Sequence, residues 1–297
     1  MTSDRQTTMH RRDGLRAATA IAAALANRHV LASGSASEAG KAEAERRHLE
    51  VLERYRPLWD GPTLEIGLLV YPGMFLQDLV GPLTMFEALM NRRIHLLWKT
   101  RDAVGPERPE HPGLPVMPTT RFEDCPERLD VLFVPGGVPG TLTMMEDRTV
   151  LGFLADRGAR AGWVTSVCTG SLILGAAGLL RGYRATSHWV TVDVLRELGA
   201  TPVRSRVVVD RNRMTGGGVT AGLDFGLDLV AKLRSPAYAK AVQLYLEYDP
   251  RPPFDAGRPE RAPKETRRFM SEMFAGMVES TTAAARRAAS SWPTGKG

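Results

Sequence analysis

The chain joins a strand pattern to a helix start in the stretch Trp163-Val164-Thr165-Ser166-Val167-Cys168-Thr169-Gly170-Ser171-Leu172. The residues before the thiol are apolar or β-branched, as in a strand buried on both faces, and the small residues after it allow a helix to begin without a spacer. Cys168 is therefore predicted at a sharp strand-to-helix corner, a nucleophile elbow. Because a helix amino end stabilises a thiolate, this position predicts a nucleophilic sulfur with a pKa below the free value of about 8.5.

Three more apolar runs have the same character as the strand that precedes Cys168: residues 64–71, 94–99 and 131–134. Segments of helix or hairpin length separate them, so we expect a mostly parallel sheet sandwiched by helices, in the α/β class. Residues 115–120, and 203–209 with 213–215, are predicted as antiparallel additions. Sheets of this kind bind ligands at the carboxyl ends of their strands, where Cys168 also lies.

The composition predicts a globular protein with one main domain. The chain has 297 residues, of which 43% are hydrophobic and 24% charged, and this length suits one domain of about 190 residues with extensions. The net charge is +6, but residues 61–250 carry 20 basic and 20 acidic side chains, so a nucleic-acid partner is not expected. Two cysteines, Cys125 and Cys168, provide neither a disulfide framework nor a zinc site, and no metal is expected.

The first 40 residues have the three parts of a twin-arginine export signal. Arg11-Arg12 precedes a ten-residue alanine-rich run, and small residues follow it. The sequence thus predicts a periplasmic or exported protein without stable membrane association, because ten residues cannot span a bilayer. An alanine-rich helix that stays attached is the alternative, favoured by Asn27-Arg28-His29, and the protein is then cytoplasmic. Residues 41–62 are predicted as a charged helical linker, 63–250 as the domain and 251–297 as a C-terminal extension, helical through Ser280 and frayed beyond it.

Two other predicted strands end in residues suited to a site. Asp78 follows the first strand among apolar neighbours, so it is either a helix cap or a poorly solvated carboxyl with a raised pKa that gives a proton to substrate. Gly136 and Gly137 follow the third strand. They form either an ordinary turn or a place where backbone N–H groups bind substrate or a developing oxyanion. Cys125 lies in a loop and is predicted to be an idle thiol.

An ordered set of motifs resembles the ThiJ/PfpI superfamily and, within it, the isocyanide hydratase branch. The set comprises Asp78 before Gly81-Pro82, Pro135-Gly136-Gly137, Ser166-Val167-Cys168-Thr169-Gly170-Ser171, Ala185-Thr186-Ser187-His188-Trp189 and Thr215-Gly216-Gly217-Gly218-Val219-Thr220-Ala221-Gly222. The resemblance implies flavodoxin-like subunits in a homodimer and no cofactor. It makes Cys168 the nucleophile, Asp78 its acidic partner and Thr169 a contributor to the site through its backbone and hydroxyl.

The resemblance implies a hydro-lyase that converts an isocyanide into an N-substituted formamide through a covalent thioimidate on Cys168. Peptidase-like and amidotransferase-like relatives place a histidine beside the cysteine, whereas this chain has Thr169 there, and His188 is interpreted as structural. Residues 251–297 are too few for a double helix-turn-helix regulator. The competing hypothesis is a redox sensor or protective protein, since a reactive thiol also oxidises readily.

Overall fold

The computed structural model describes residues 38–105 and 113–292. The predicted twin-arginine signal, including Arg11 and Arg12, lies outside the described residues. Internal contacts divide the chain into two units at Thr63 and Leu64. The described part of the first unit consists of α1 (Glu38–Arg54) and α2 (Arg56–Trp59). Exposed ion pairs one helical turn apart, such as Arg46 with Glu43 at 2.8 Å, support α1 where the sequence predicts a charged helical segment.

The second unit is built on a seven-stranded sheet within the described residues. Its strands are β1 (Leu64–Leu69), β2 (Arg92–Trp98), β3 (Thr120–Arg121), β4 (Val131–Val134), β5 (Trp163–Val167), β8 (Val207–Asp210) and β9 (Arg213–Gly216). Their spatial order is β3-β2-β1-β4-β5-β9-β8, and all neighbours run parallel except β8 and β9. Two short strands, β6 (Arg184–Ala185) and β7 (Thr201–Pro202), pair separately.

Helices flank this sheet, and local sequence signals start several of them. They are α3 (Leu76–Glu87), α4 (Gly140–Glu146), α5 (Arg148–Arg160), α6 (Gly170–Ala176), α7 (Ala221–Leu233), α8 (Pro236–Tyr245), α9 (Lys264–Met273) and α10 (Ala275–Ser290). The Asp147 carboxylate caps α5 by accepting from two backbone N–H groups, and the Ser235 hydroxyl caps α8 ahead of a proline at its first position. Helix α7 packs against both α3 and α8, and α4, α6 and α10 pack on one another.

The core lies between the sheet and its helices because the central strands are apolar on both faces. Ile66, Leu68 and Leu132 have no exposed surface. The ring of Phe133 meets Phe86 edge-on at 6.4 Å and Phe225 at 5.9 Å, which ties β4 to α3 and α7. The prediction of a mostly parallel sheet sandwiched by helices is confirmed, and it places the carboxyl ends of β1, β4, β5 and β9 along one edge.

The antiparallel additions are only partly as predicted. Strand β8 is antiparallel to β9 as expected, but β9 itself runs parallel to β5 and so belongs to the main sheet. The prediction for residues 115–120 is wrong in direction, because Thr120 pairs parallel to β2 and only Val116 makes an antiparallel bridge, to Val104. Short edge pairings of one or two residues carry too little periodicity to fix their direction from sequence.

The C-terminal extension is part of the second unit and packs against its helices. Helix α10 continues to Ser290, so the prediction of fraying after Ser280 is wrong. The reason is burial: small side chains on one face of α10 lie in the core, and the Trp292 indole donates to the Ala176 carbonyl at the end of α6 at 3.0 Å. In residues 38–105 and 113–292, none of the helices combines the length and hydrophobicity needed to cross a membrane.

Candidate active site

Cys168 lies at the predicted corner, one residue after β5 and two residues before α6. Its φ of +56° is in the left-handed region, which costs a non-glycine residue about 1 to 2 kcal/mol. The neighbouring chain holds this backbone. The Cys168 N–H donates to the carbonyls of Gly217 at 2.7 Å and Gly216 at 3.1 Å, which places the end of β9 beside the thiol.

Two serine hydroxyls complete the support of this corner. Ser187 Oγ donates to the Cys168 carbonyl at 3.1 Å, and Ser171 Oγ donates to the same oxygen at 3.2 Å. Ser187 and Ser171 are both buried. Both serines belong to motifs in the sequence, but no role for them can be predicted from those motifs, because only the fold shows which carbonyl they reach.

Asp78 comes to the thiol from α3, the helix that follows β1. It is fully buried and is not a helix cap, since the residue in that position is Phe75. The Gly136 N–H donates to Asp78 Oδ2 at 3.1 Å. Asp78 Oδ1 is buried and has no hydrogen-bond partner in the described part of the chain, so it is available to a small molecule.

The Asp78 carboxyl and the Cys168 thiol form an interacting pair. Burial raises the pKa of Asp78 to about 6, while the hydrogen bonds from the Cys168 side chain and from Gly136 act in the opposite direction. Burial also raises the pKa of the Cys168 thiol, and the negative charge of Asp78 raises it further. The backbone N–H and hydroxyl of Thr169 oppose this by favouring the thiolate.

The prediction of a thiol pKa below 8.5 is wrong for this buried site. Helix position alone favours the thiolate, but Cys168 is only 7% exposed, and loss of hydration outweighs that effect. A proton that resides on the sulfur at neutral pH has an acceptor beside it in Asp78. The pair can hold one proton either as thiol and carboxylate or as thiolate and carboxylic acid.

Gly136 and Gly137 position the other site residues. The Gly136 N–H is bonded to Asp78, and the Gly137 N–H donates to Thr169 Oγ1 at 3.0 Å. Their role in the structure thus differs from the substrate or oxyanion binding predicted from sequence, because neither N–H is free of a protein acceptor. Position 137 requires glycine for two reasons. Its φ of +130° is unfavourable for other residues, and a Cβ would lie 2.2 Å from the Phe75 nitrogen.

Gly136→Ala is expected to damage folding and site together. A Cβ at this position lies 2.5 Å from Thr169 N, 2.7 Å from Thr169 Oγ1 and 2.9 Å from Asp78 Oδ2, so backbone has to move. We expect a loss of about 1 to 3 kcal/mol in the free energy of unfolding, measured in urea. Gly152→Ala in α5 is the control, because no atom lies within 4 Å of its Cβ and the helix gains stability. Equal stability of the two variants would contradict the expectation.

The free energy of unfolding should depend on pH through the titration of Asp78. The native state binds this proton more tightly than the unfolded chain, so the stabilising contribution is present at low pH and is lost as pH rises from 3.8 toward about 6. Asp78→Asn removes this dependence. Between pH 4.5 and pH 8, we expect the variant to gain about 2 kcal/mol in unfolding free energy relative to the unsubstituted protein. Parallel pH profiles of the two proteins in urea titrations would exclude a raised pKa.

The other predicted residues are placed as follows. Cys125 is a free, buried cysteine whose pKa burial raises, and its sulfur donates to the Pro126 carbonyl at 3.5 Å. The His188 ring packs near Trp189 and Phe274, with centroids 6.0 and 6.1 Å away, and burial lowers its pKa. Among the described residues, no group of three or more potential ligands could hold a metal ion.

A cleft of about 570 Å³ opens beside the corner. His188 and Trp189 line it, as do Ser187 and Gly217, whose oxygens bond to the Cys168 backbone. Cys168, Asp78 and Thr169 are not among the residues that line this cleft. The sequence did not indicate this cleft, because the segment at Arg258 that closes it comes from the C-terminal extension.

A mostly parallel sheet that holds a cysteine with left-handed backbone at a strand-to-helix corner, near a buried carboxyl, defines an α/β protein with an elbow-type site. Residues 66–232 match the sequence model described as the DJ-1/PfpI family. The chain belongs to this family, also called ThiJ/PfpI, and the resemblance stated from its motifs is confirmed.

Known relatives agree with this assignment. The chain is 51% identical to "Isonitrile hydratase" of Pseudomonas putida over 201 residues, covering 68% of this chain and 86% of the relative. It is 30% identical to "HTH-type transcriptional regulator GbdR" of Pseudomonas aeruginosa over 190 residues, 62% of this chain and half the length of the regulator. The crystal structure of a ThiJ/PfpI family protein from Pseudomonas syringae has a TM-score of 0.74 and 53% identity, covering 76% of this chain and 92% of that chain.

Proposed function

We propose that this chain is a hydro-lyase that hydrates isocyanides to N-substituted formamides, with Cys168 as the nucleophile and Asp78 as its proton partner. The observation that carries the proposal is the buried carboxyl with a pKa raised to about 6, which interacts electrostatically with a thiol at a strand-to-helix corner. The identity of 51% to a relative named isonitrile hydratase supports the substrate class.

In the first step, the sulfur and the proton of the thiol both add to the terminal carbon of R–N≡C. The thiol proton passes to the Asp78 carboxylate, the sulfur bonds to the carbon, and Asp78 returns the proton to that same carbon. The product is R–N=CH–S–Cys168, a thioimidate. The pair carries one negative charge before the sulfur adds: it lies on the carboxylate while the thiol is intact and on the sulfur once Asp78 has taken the proton.

In the second step, water opens the thioimidate. The water oxygen bonds to the carbon and one water proton reaches the nitrogen, which gives R–NH–CH(OH)–S–Cys168. Asp78 then takes the hydroxyl proton as the C–S bond breaks and passes it to the leaving sulfur. The overall balance is R–N≡C plus H₂O giving R–NH–CHO, with thiol and carboxylate restored and no cofactor consumed.

The site fits this chemistry better than the alternatives. Amide hydrolysis needs a general acid for a leaving amine, and the residue beside the nucleophile is Thr169, while His188 packs against aromatic rings. A redox sensor needs an exposed thiolate, whereas Cys168 is 7% exposed and has a raised pKa. The low exposure and the raised pKa favour a protonated Cys168 thiol over a thiolate in the free protein at neutral pH.

The test uses the purified protein and p-nitrophenyl isocyanide, with the formamide followed by chromatography. Catalytic formation of the formamide, many equivalents per protein, is the expected result. A protein that forms no formamide while its Cys168 thiol is oxidised by peroxide would overturn the proposal in favour of the sensor. Homodimer formation and twin-arginine export remain predictions.

A further inference from the structure

We propose that Thr141 is a positioning residue for the reaction, whose hydroxyl orients the Thr169 hydroxyl toward the Cys168 sulfur. Thr141 lies in the first turn of α4, just after the Gly136-Gly137 turn, and none of its surface is exposed. No feature of the sequence distinguishes it from other threonines. The inference rests on the proposed role of Cys168 as nucleophile.

The geometry around Thr169 Oγ1 defines a short chain of hydrogen bonds. Thr141 Oγ1 lies 2.7 Å from Thr169 Oγ1, and the Gly137 N–H donates to Thr169 Oγ1 at 3.0 Å. Within the described residues, Thr169 Oγ1 is the one hydrogen-bond partner of the Thr141 hydroxyl. The Thr169 hydroxyl in turn favours the thiolate of Cys168.

The donor and the acceptor in each of these hydrogen bonds follow from the number of protons and lone pairs available. A hydroxyl has one proton to donate and two lone pairs that accept. Gly137 occupies one lone pair of Thr169 Oγ1, and donation from Thr141 occupies the other, so the Thr169 proton is left for the sulfur. The reverse direction would leave the buried Thr141 proton without an acceptor and remove the hydroxyl donor from the sulfur, and an unpaired buried donor is unfavourable.

These hydrogen bonds should stabilise the negative charge that develops on the sulfur during the reaction. A hydroxyl that already accepts two hydrogen bonds is polarised and donates more strongly to a third group. It is also fixed in place before substrate arrives, so no reorientation is needed as the thiol ionises. Thr141 therefore assists ionisation of Cys168 without touching sulfur or substrate.

The experiment titrates the Cys168 thiol in the full-length protein, with Cys125→Ser to silence the second cysteine. The rate of alkylation by iodoacetamide is measured from pH 6 to pH 11. For Thr141→Val, we expect a rate near pH 8 about three- to tenfold below that of the parent, with the titration shifted upward. The value of kcat with isocyanide should fall by a similar factor while KM stays constant. Thr141→Ser, which keeps the hydroxyl, should restore both.

Thr281→Val is the matched control, because Thr281 is also a fully buried threonine, and its hydroxyl bonds to the Met277 carbonyl at 2.9 Å in α10. It should leave the titration unchanged. A double-mutant cycle separates positioning from packing: in a Thr169→Val background, Thr141→Val should produce no further shift. If valine prevents folding, Thr141→Ala removes the same donor.

Three results would overturn the role of Thr141. These are a titration that Thr141→Val does not change, an equal shift in Thr141→Ser, or a full shift in the Thr169→Val background. Alkylation does not require turnover, so this test stands apart from that of the proposed function. A shifted titration in a protein that makes no formamide would reject the hydratase alone.

Discussion

Cys168→Ala is expected to abolish formamide production, with kcat at least about a thousandfold below that of the unsubstituted protein. The proposed reaction passes through a carbon–sulfur bond, and no other group in contact with Asp78 can replace the sulfur. The protein should remain folded, because alanine keeps the Cβ and the carbonyl of residue 168 still accepts from Ser171 and Ser187. Mass spectrometry of the unsubstituted protein, quenched during turnover, should detect the thioimidate adduct on the peptide that contains Cys168.

Cys125→Ala is the control for this prediction. Its thiol is buried in a loop and bonds to a backbone carbonyl, so its removal should change kcat by less than about twofold. Retained turnover in Cys168→Ala, or an adduct on Cys125, would refute the assignment of the nucleophile.

Asp78→Asn should lower kcat by about a hundred- to ten-thousandfold, since an amide neither accepts the thiol proton nor returns it to carbon. The unsubstituted protein should lose kcat/KM as pH falls below about 6, because the carboxyl is then protonated and the thiol proton has no acceptor. This acidic limb should be absent from the residual activity of the variant. The measurement is the pH dependence of initial rates between pH 5 and pH 9, corrected for the uncatalysed reaction.

Asp78→Glu is the companion variant. It keeps the carboxyl but moves it by one methylene in a fully buried position, so activity should fall while the acidic limb persists. An acidic limb that survives in Asp78→Asn would assign the titration to another group.

The features of the site that can be predicted from the sequence are those that depend on local patterns of residues. Continuous apolar runs predicted the buried strands, and the abrupt change at Cys168 predicted the corner. Asp78 and the glycines at 136 and 137 follow strands whose carboxyl ends meet, so their proximity follows from a parallel sheet.

The parts that it missed depend on burial and on contacts between distant segments. The thiol pKa was predicted from the helix position, but it is governed by how little water reaches the sulfur. Ser187 and Thr141 act through hydrogen bonds that span 19 and 28 residues of sequence, respectively, so a local pattern has no access to them. The prediction for the end of α10 is wrong because an alanine-rich terminus is typical of a frayed helix, and the sequence does not show the core surface against which these alanines pack.

The left-handed backbone at Cys168 also bears on how this protein changes over evolutionary time. Glycine adopts such a conformation without strain, so a chance Cys168→Gly substitution relaxes the chain while it deletes the sulfur. Lineages released from selection for the chemistry therefore have a route to an inert descendant that still folds. Cysteine at residue 168 therefore costs the fold about 1 to 2 kcal/mol of backbone strain that glycine would not impose.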